Sequence, residues 1–153
     1  MPFTFRLKSL MRHREFKLNQ AQAALGAAES RRAQIRSSIE GLNETIRLES
    51  EQFEREQENG IGAARYLHFK EHLSVLEREL LLLNKQLEKA SAEVEARKRA
   101  MIECDKSVKV IESIETRDMA SYRSIQSHKQ QKQLDDVAVF NDYRNRNGVE
   151  GEP

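Results

Sequence analysis

Proline is nearly missing from this chain: it stands only at positions 2 and 153, so nothing between Phe3 and Glu152 forces a helix to stop. Tryptophan is absent, and hydrophobic residues reach 38%, against about 45–50% in an ordinary globular domain. A deep core with an enzyme pocket inside it is therefore not expected. One cysteine, Cys104, excludes an internal disulfide and suits a reducing compartment. The longest run of leucines is Leu80–Leu83, far short of the ~20 apolar residues of a membrane span. The first residues are basic and amphipathic with no apolar stretch of the signal-peptide kind, so a cytosolic protein is expected.

No charge of one sign dominates either. Lys and Arg number 26 against 25 Asp and Glu, a formal net charge of +1, and no nucleic-acid-binding signature accompanies them. Phosphate-binding loops of the GxxxxGK[ST] or GxGxxG kind do not occur, so no nucleotide site, no cofactor and no enzymatic activity are expected. His68 and His72 lie four apart on one helical face, but Phe69-Lys70-Glu71 stands between them where a zinc protease needs a glutamate after the first histidine. They read as surface histidines rather than metal ligands. Cys104 falls on a core-facing position, where a free thiol behaves as a small hydrophobe.

What the chain does have is a long heptad. Along positions 7, 11, 14, 18, 21, 25, 28, 32, 35, 39, 42, 46, 49 and 53, eleven of fourteen residues are apolar, the exceptions being Arg14, Arg32 and Glu49. A second ladder, Tyr66, Phe69, Leu73, Leu76, Leu80, Leu83, Leu87, Ala90, Val94, Arg97, Met101, Cys104, Val108 and Ile111, has thirteen of fourteen apolar. A sustained repeat of seven keeps one stripe facing a partner helix and implies a left-handed supercoil. The fold class expected is all-α coiled coil.

Between the ladders lies Glu58-Asn59-Gly60-Ile61-Gly62-Ala63, where the register breaks at residues that tolerate the left-handed backbone of a helix end. An antiparallel two-helix hairpin with its tip at 58–62 is expected over one continuous rod that dimerises in parallel. The expected organisation is a single hairpin over 1–144, with helix 1 at about 4–57, helix 2 at about 63–143, and a disordered tail at 145–153. At 1.5 Å per residue the arms would run roughly 80 and 120 Å. Glu115 and Asp118 fall on the next core positions, so the ladder is expected to decay there. Residues after Glu115 would overhang helix 1, leaving Met119, Tyr122, Ile125, Leu134, Val137 and Phe140 without an internal partner. Gly26 and Gly41 sit inside the first helix and could soften it.

Charge is unevenly placed. Positions 1–18 carry five bases and one acid, 40–58 carry seven acids and two bases, and 123–146 carry five bases and three acids. In a hairpin the end holding both termini would be basic and the first arm near the tip acidic, which suits two different partners.

Three stretches carry a resemblance. Phe3-Thr4-Phe5-Arg6-Leu7-Lys8-Ser9-Leu10 resembles the opening of the flagellar export protein FliJ family. Gly60-Ile61-Gly62-Ala63-Ala64-Arg65-Tyr66-Leu67-His68-Phe69, with Leu73-Ser74-Val75-Leu76-Glu77 after it, is similar to that family's glycine tip and the aromatic start of its second helix. Lys132-Gln133-Leu134-Asp135-Asp136-Val137-Ala138 looks like its K-x-L-D-E-x-A element, with Asp136 in place of the usual Glu, and the Glu often found upstream is replaced by His128-Lys129. The likeness spans about Phe3 to Arg144.

The resemblance implies a soluble component of the flagellar type III export apparatus: a stalk in the hexameric export ATPase that also engages the export gate protein and escorts unloaded export chaperones. It implies a cytoplasmic protein peripherally associated with the inner-membrane apparatus. ATPase contacts are expected at Phe3, Phe5, Arg6, Leu7, Lys8, Leu10, Arg12 and Arg14, together with Lys132, Leu134, Asp135 and Val137. Gate contacts are expected at Leu42, Glu49, Phe53, Tyr66, Phe69, His72 and Leu76. The similarly built stalk of injectisomes is the nearest alternative, followed by a self-assembling structural coiled coil. A membrane-surface amphipath formed by Phe3, Phe5, Leu7, Leu10 and Met11 beside the N-terminal bases is the third.

Overall fold

A computed structural model describes residues 2–149. Two α-helices account for nearly all of them, α1 (Lys8–Glu58, 51 residues) and α2 (Ala63–Val149, 87 residues), and the two pack against each other. No strand occurs among the described residues.

The helix ends follow local chemistry. Before α1 the chain turns, with the Lys8 N–H donating to the Phe5 carbonyl at 3.3 Å and the Met11 N–H to Leu7 at 2.9 Å. The helix thus starts later than the expected residue 4, because Phe5 is buried outside it at 7% exposure. At the other end, Gly60 takes φ +83° and its N–H donates to the Gln57 carbonyl at 3.1 Å. Only glycine adopts that backbone without a Cβ penalty, which is why the reversal falls here. Arg55 and Arg146 occupy the last turns of α1 and α2, where positive charge meets the exposed carbonyls. α2 does not stop at the expected residue 143: Asn145 to Val149, assigned to a disordered tail from composition, are helical. The remainder of that expected tail, 150–153, lies outside the described residues.

The chain divides into two compact units, one of Phe16–Asp105 and one of the residues up to Glu15 with those from Lys106 onward. In the Phe16–Asp105 unit, contacts pair rising numbers on α1 with falling numbers on α2: Arg31 with Glu93, Glu49 with His72, Phe53 with Phe69, and Glu56 with Arg65. Its buried core is Ala28, Phe53, Ala90 and Val94, all of them ladder residues. Small alanines on both helices require close approach of the backbones to exclude water. Gly26 and Gly41 interrupt neither the helix nor its packing, and a Cβ at either would meet nothing within 4 Å. Gly26→Ala and Gly41→Ala should each raise stability by about 0.5–1 kcal/mol through helix propensity, read as a higher thermal midpoint. A lower midpoint for either would mean that the glycine serves the packing.

The other unit has its own core of Phe5, Val108 and Ile111. Here too the pairs descend along α2: the Arg14 guanidinium donates to the Ser107 carbonyl at 2.9 Å, Arg6 lies 3.8 Å from Asp118, and the Phe3 ring is 5.5 Å from that of Tyr122. The expected decay of the ladder after Ile111 is corrected by these contacts. Glu115, Asp118 and Tyr122 stay half-buried, and Arg6 and Phe3 of the segment before α1 reach Asp118 and Tyr122. Tyr122 thus has an internal mate in Phe3, contrary to expectation, and Met119 is half-buried. From Ser127 to Gly148 every residue is exposed.

Candidate functional site

Five of the seven residues expected to face the gate meet in the Phe16–Asp105 unit. Phe53 stacks on Phe69 with ring centroids 3.8 Å apart and planes 5° from parallel, and Tyr66 packs against the Phe53 ring at 5.8 Å and 45°. Beside them His72 Nε2 lies 2.7 Å from Glu49 Oε2. The aromatic cluster forms because Phe53 closes the first ladder and Tyr66 and Phe69 open the second, so the turn brings large rings from both helices to one level. Phe53 is buried, Leu42, Phe69 and Leu76 are half-buried, and Tyr66 and His72 are exposed. Tyr66, His72 and the rim of Glu49 are thus the parts a partner can touch directly.

Charge pairs frame this cluster that the heptad alone does not reveal. The Arg65 guanidinium donates to both Glu56 carboxylate oxygens at 3.1 and 3.2 Å, and this bond holds the Glu56 carboxyl below its ordinary pKa while raising that of Arg65. The pair's contribution is therefore present above the usual carboxylate range and is lost as pH falls through the lowered Glu56 value. About two and a half turns before Glu56, Arg47 bonds Glu44 and Glu51, lowering the Glu44 carboxyl by the same cause. Lys70 Nζ lies 5.5 Å from the centre of the Tyr66 ring. A pairing of Glu56 with Arg65 becomes legible only once the turn residue is fixed, since it depends on which α1 position faces which α2 position.

The residues expected to face the ATPase divide in two. Phe5 is buried, Phe3, Leu7 and Arg14 are half-buried, and Phe3 and Arg14 are engaged with Tyr122 and the Ser107 carbonyl. These hold the unit together. Arg6, Lys8, Leu10 and Arg12 are exposed, with Arg6 reaching Asp118. On α2, Lys132, Leu134, Asp135 and Val137 are all exposed, and the Asp135 carboxylate accepts from Gln131 at 3.1 Å. Ile125, Val139, Phe140 and Tyr143 add apolar surface at 55–70% exposure. Of the five apolar residues of the membrane-surface alternative, Phe5 is buried, Phe3, Leu7 and Met11 are half-buried, and Leu10 is exposed.

Among the described residues no group of three or more His, Cys, Asp or Glu is arranged to hold a metal, and no helix is long and apolar enough to cross a membrane. The surfaces differ in chemistry: an aromatic and charged face in one unit, a basic and apolar face in the other.

No curated protein and no solved structure matches the chain. The family model described as "Flagellar FliJ protein" matches residues 3–147, which takes in both units and all the stretches that carried the resemblance. The chain belongs to the flagellar FliJ protein family, and so is a component of the flagellar export apparatus.

Proposed function

We propose that this protein is the central stalk of the hexameric flagellar export ATPase, linking it to the export gate and to unloaded export chaperones. In this reading α1 and α2 form an antiparallel hairpin turning at Gly60. Its N-terminal bases and the helix after Gln126 engage the ATPase, and the Phe53–Phe69 cluster engages the cytoplasmic domain of the gate. The observation that carries it is the run from Ser127 to Gly148, helical and exposed at every residue. A single helix without a mate is marginal in water, all the more with Leu134, Val137, Phe140 and Tyr143 bared to it. Such a run is accounted for by a partner that takes it, and a ring enclosing a narrow rod is one that can.

The gate half of the reading has its own test. Glu49→Gln with His72→Gln removes the charges of the exposed rim without opening a cavity, unlike changes at Phe53 or Leu76, where lost packing would confound lost binding. The double variant should keep its helix content and bind the isolated cytoplasmic domain of the gate protein about tenfold more weakly, as expected for one or two polar contacts. Unchanged affinity would reject this face as the gate contact.

A further inference from the structure

After the turn, α2 carries apolar side chains on two sides. Phe69, Leu73, Leu76, Leu80 and Leu83 of the ladder are half-buried, whereas Leu67, Val75, Leu81 and Leu82 are bared at 54–61% exposure. At 3.6 residues per turn, Leu67, Glu71, Ser74, Val75, Arg78 and Leu82 fall within one arc of about 100°, centred opposite the ladder. All of them except Ser74 are exposed. Single apolar residues on a surface are ordinary, but a stripe about four turns long is the mark of a contact face.

The six residues read alike in both directions. Their spacings are four, three, one, three and four, with leucine at both ends, an acid and a base next, and Ser74 and Val75 at the centre. Glu71 makes no hydrogen bond or ion pair with another described residue. The Arg78 guanidinium has no acid beside it and donates to the Ser74 hydroxyl at 3.2 Å, which keeps it along the same face.

We propose that this face of α2 binds a second copy of the chain, laid antiparallel about a two-fold axis between Ser74 and Val75. Leu67 then lies level with Leu82 of the other copy, and Glu71 with its Arg78. Each pairing occurs twice, because the axis exchanges the copies. Copies laid parallel and in register would instead set acid beside acid and base beside base, which repels. Opposite charges at equal distances from one centre are what a copy of the same chain requires, and an unrelated partner has no use for that symmetry. α1 leaves the face open, since it packs on the ladder side. The proposal uses neither the Phe53–Phe69 cluster nor the helix after Gln126, so it stands with or without the stalk and gate assignments.

Four turns of one helix from each copy make a small interface, and dissociation at about 100 μM is expected. At the few micromolar of a dichroism measurement the chain is then mostly monomer. The test is sedimentation equilibrium of the full chain under reducing conditions, from about 5 μM to about 1 mM, a range that brackets that value. The wild type should shift from the mass of one chain to that of two. Glu71→Lys alone and Arg78→Glu alone each replace two attractions by two repulsions, and each should weaken association about tenfold or more. The double variant should regain it, as should an equal mixture of the two single variants, because each then supplies the charge the other lacks. In a Cys104→Ser background, Ser74→Cys should form a disulfide-linked dimer on oxidation. Leu67→Cys should not, since its twin would stand fifteen residues along, about 22 Å away. A wild type that stays monomeric to 1 mM overturns the proposal and leaves the face to a different protein. Equal association of the wild type and both single variants, or linkage through Leu67→Cys in place of Ser74→Cys, overturns it as well.

Discussion

Replacing Val94 by Asp should unfold the Phe16–Asp105 unit at physiological temperature. Val94 has no solvent exposure, and the unit's other buried residues are Ala28, Phe53 and Ala90, none of which can pair a carboxylate. An unpaired charge at such a position costs on the order of 3–5 kcal/mol. Total stability of a small fold is about 5–15 kcal/mol, and two helices with so thin a shared core sit low in that range. Val94→Ala removes packing without adding charge and should cost about 2 kcal/mol. Val75→Asp, on the same helix at 54% exposure, should stay within about 0.5 kcal/mol. Dichroism-monitored unfolding of the three variants gives the comparison. Equal midpoints for Val94→Asp and Val75→Asp would mean that the ladder is not where the two helices meet.

Reversing the exposed N-terminal charges should abolish most of the stimulation of the export ATPase. Lys8 and Arg12 are solvent-facing members of the basic stretch before Leu18, and Lys8→Glu with Arg12→Glu brings five bases and one acid to three of each. A rod inside a working ring must not be gripped tightly, so its contacts are expected to be weak, partly electrostatic and sensitive to salt. At low salt the double reversal should lower stimulation by about fivefold or more, and added salt should lower the wild type toward the same level. Lys85→Glu, an exposed base of the other unit, serves as the control and should stimulate normally. Point changes are preferable to deleting residues 3–17, since that would also remove Phe3, Arg6 and Arg14 from Tyr122, Asp118 and Ser107. Full stimulation by the folded double variant would end the assignment of this surface to the ATPase.

The apolar repeat foretold the buried face with few misses. All fourteen positions of the first ladder are buried or half-buried, including the three polar exceptions, as are all those of the second except Tyr66 and Arg97. Periodicity carries this information because an amphipathic helix has one way to hide its stripe. It went wrong where polar residues take core positions. Glu115 and Asp118 read as the end of the repeat, yet Asp118 is kept half-buried beside Arg6. A polar residue at such a place is judged by its partner, and the partner depends on which residue lies across from it. That pairing is a property of the turn and of the non-helical Phe3–Leu7 segment, neither of which has a period to read. The same holds for Glu49, an exception to the ladder that lies beside His72, a residue the sequence paired on its helix face only with His68. The helix past Asn145 was missed for another reason: its asparagines and glycine disfavour helix, and the preceding turns carry the conformation through them.

The turn at Gly60 also sets the chemical ageing of the protein. Asn59 precedes it, and an asparagine followed by glycine loses its side-chain amide when the next backbone nitrogen attacks it, because glycine offers that attack no side chain to bar the way. Here the Gly60 N–H is committed to the Gln57 carbonyl at 3.1 Å, so its nitrogen is held in the turn rather than turned upon Asn59. Deamidation then proceeds chiefly in molecules whose turn has opened. The carboxylate left at position 59 would accumulate as a covalent record of that opening, adding one more negative charge to a segment that already holds seven acids against two bases between Glu40 and Glu58.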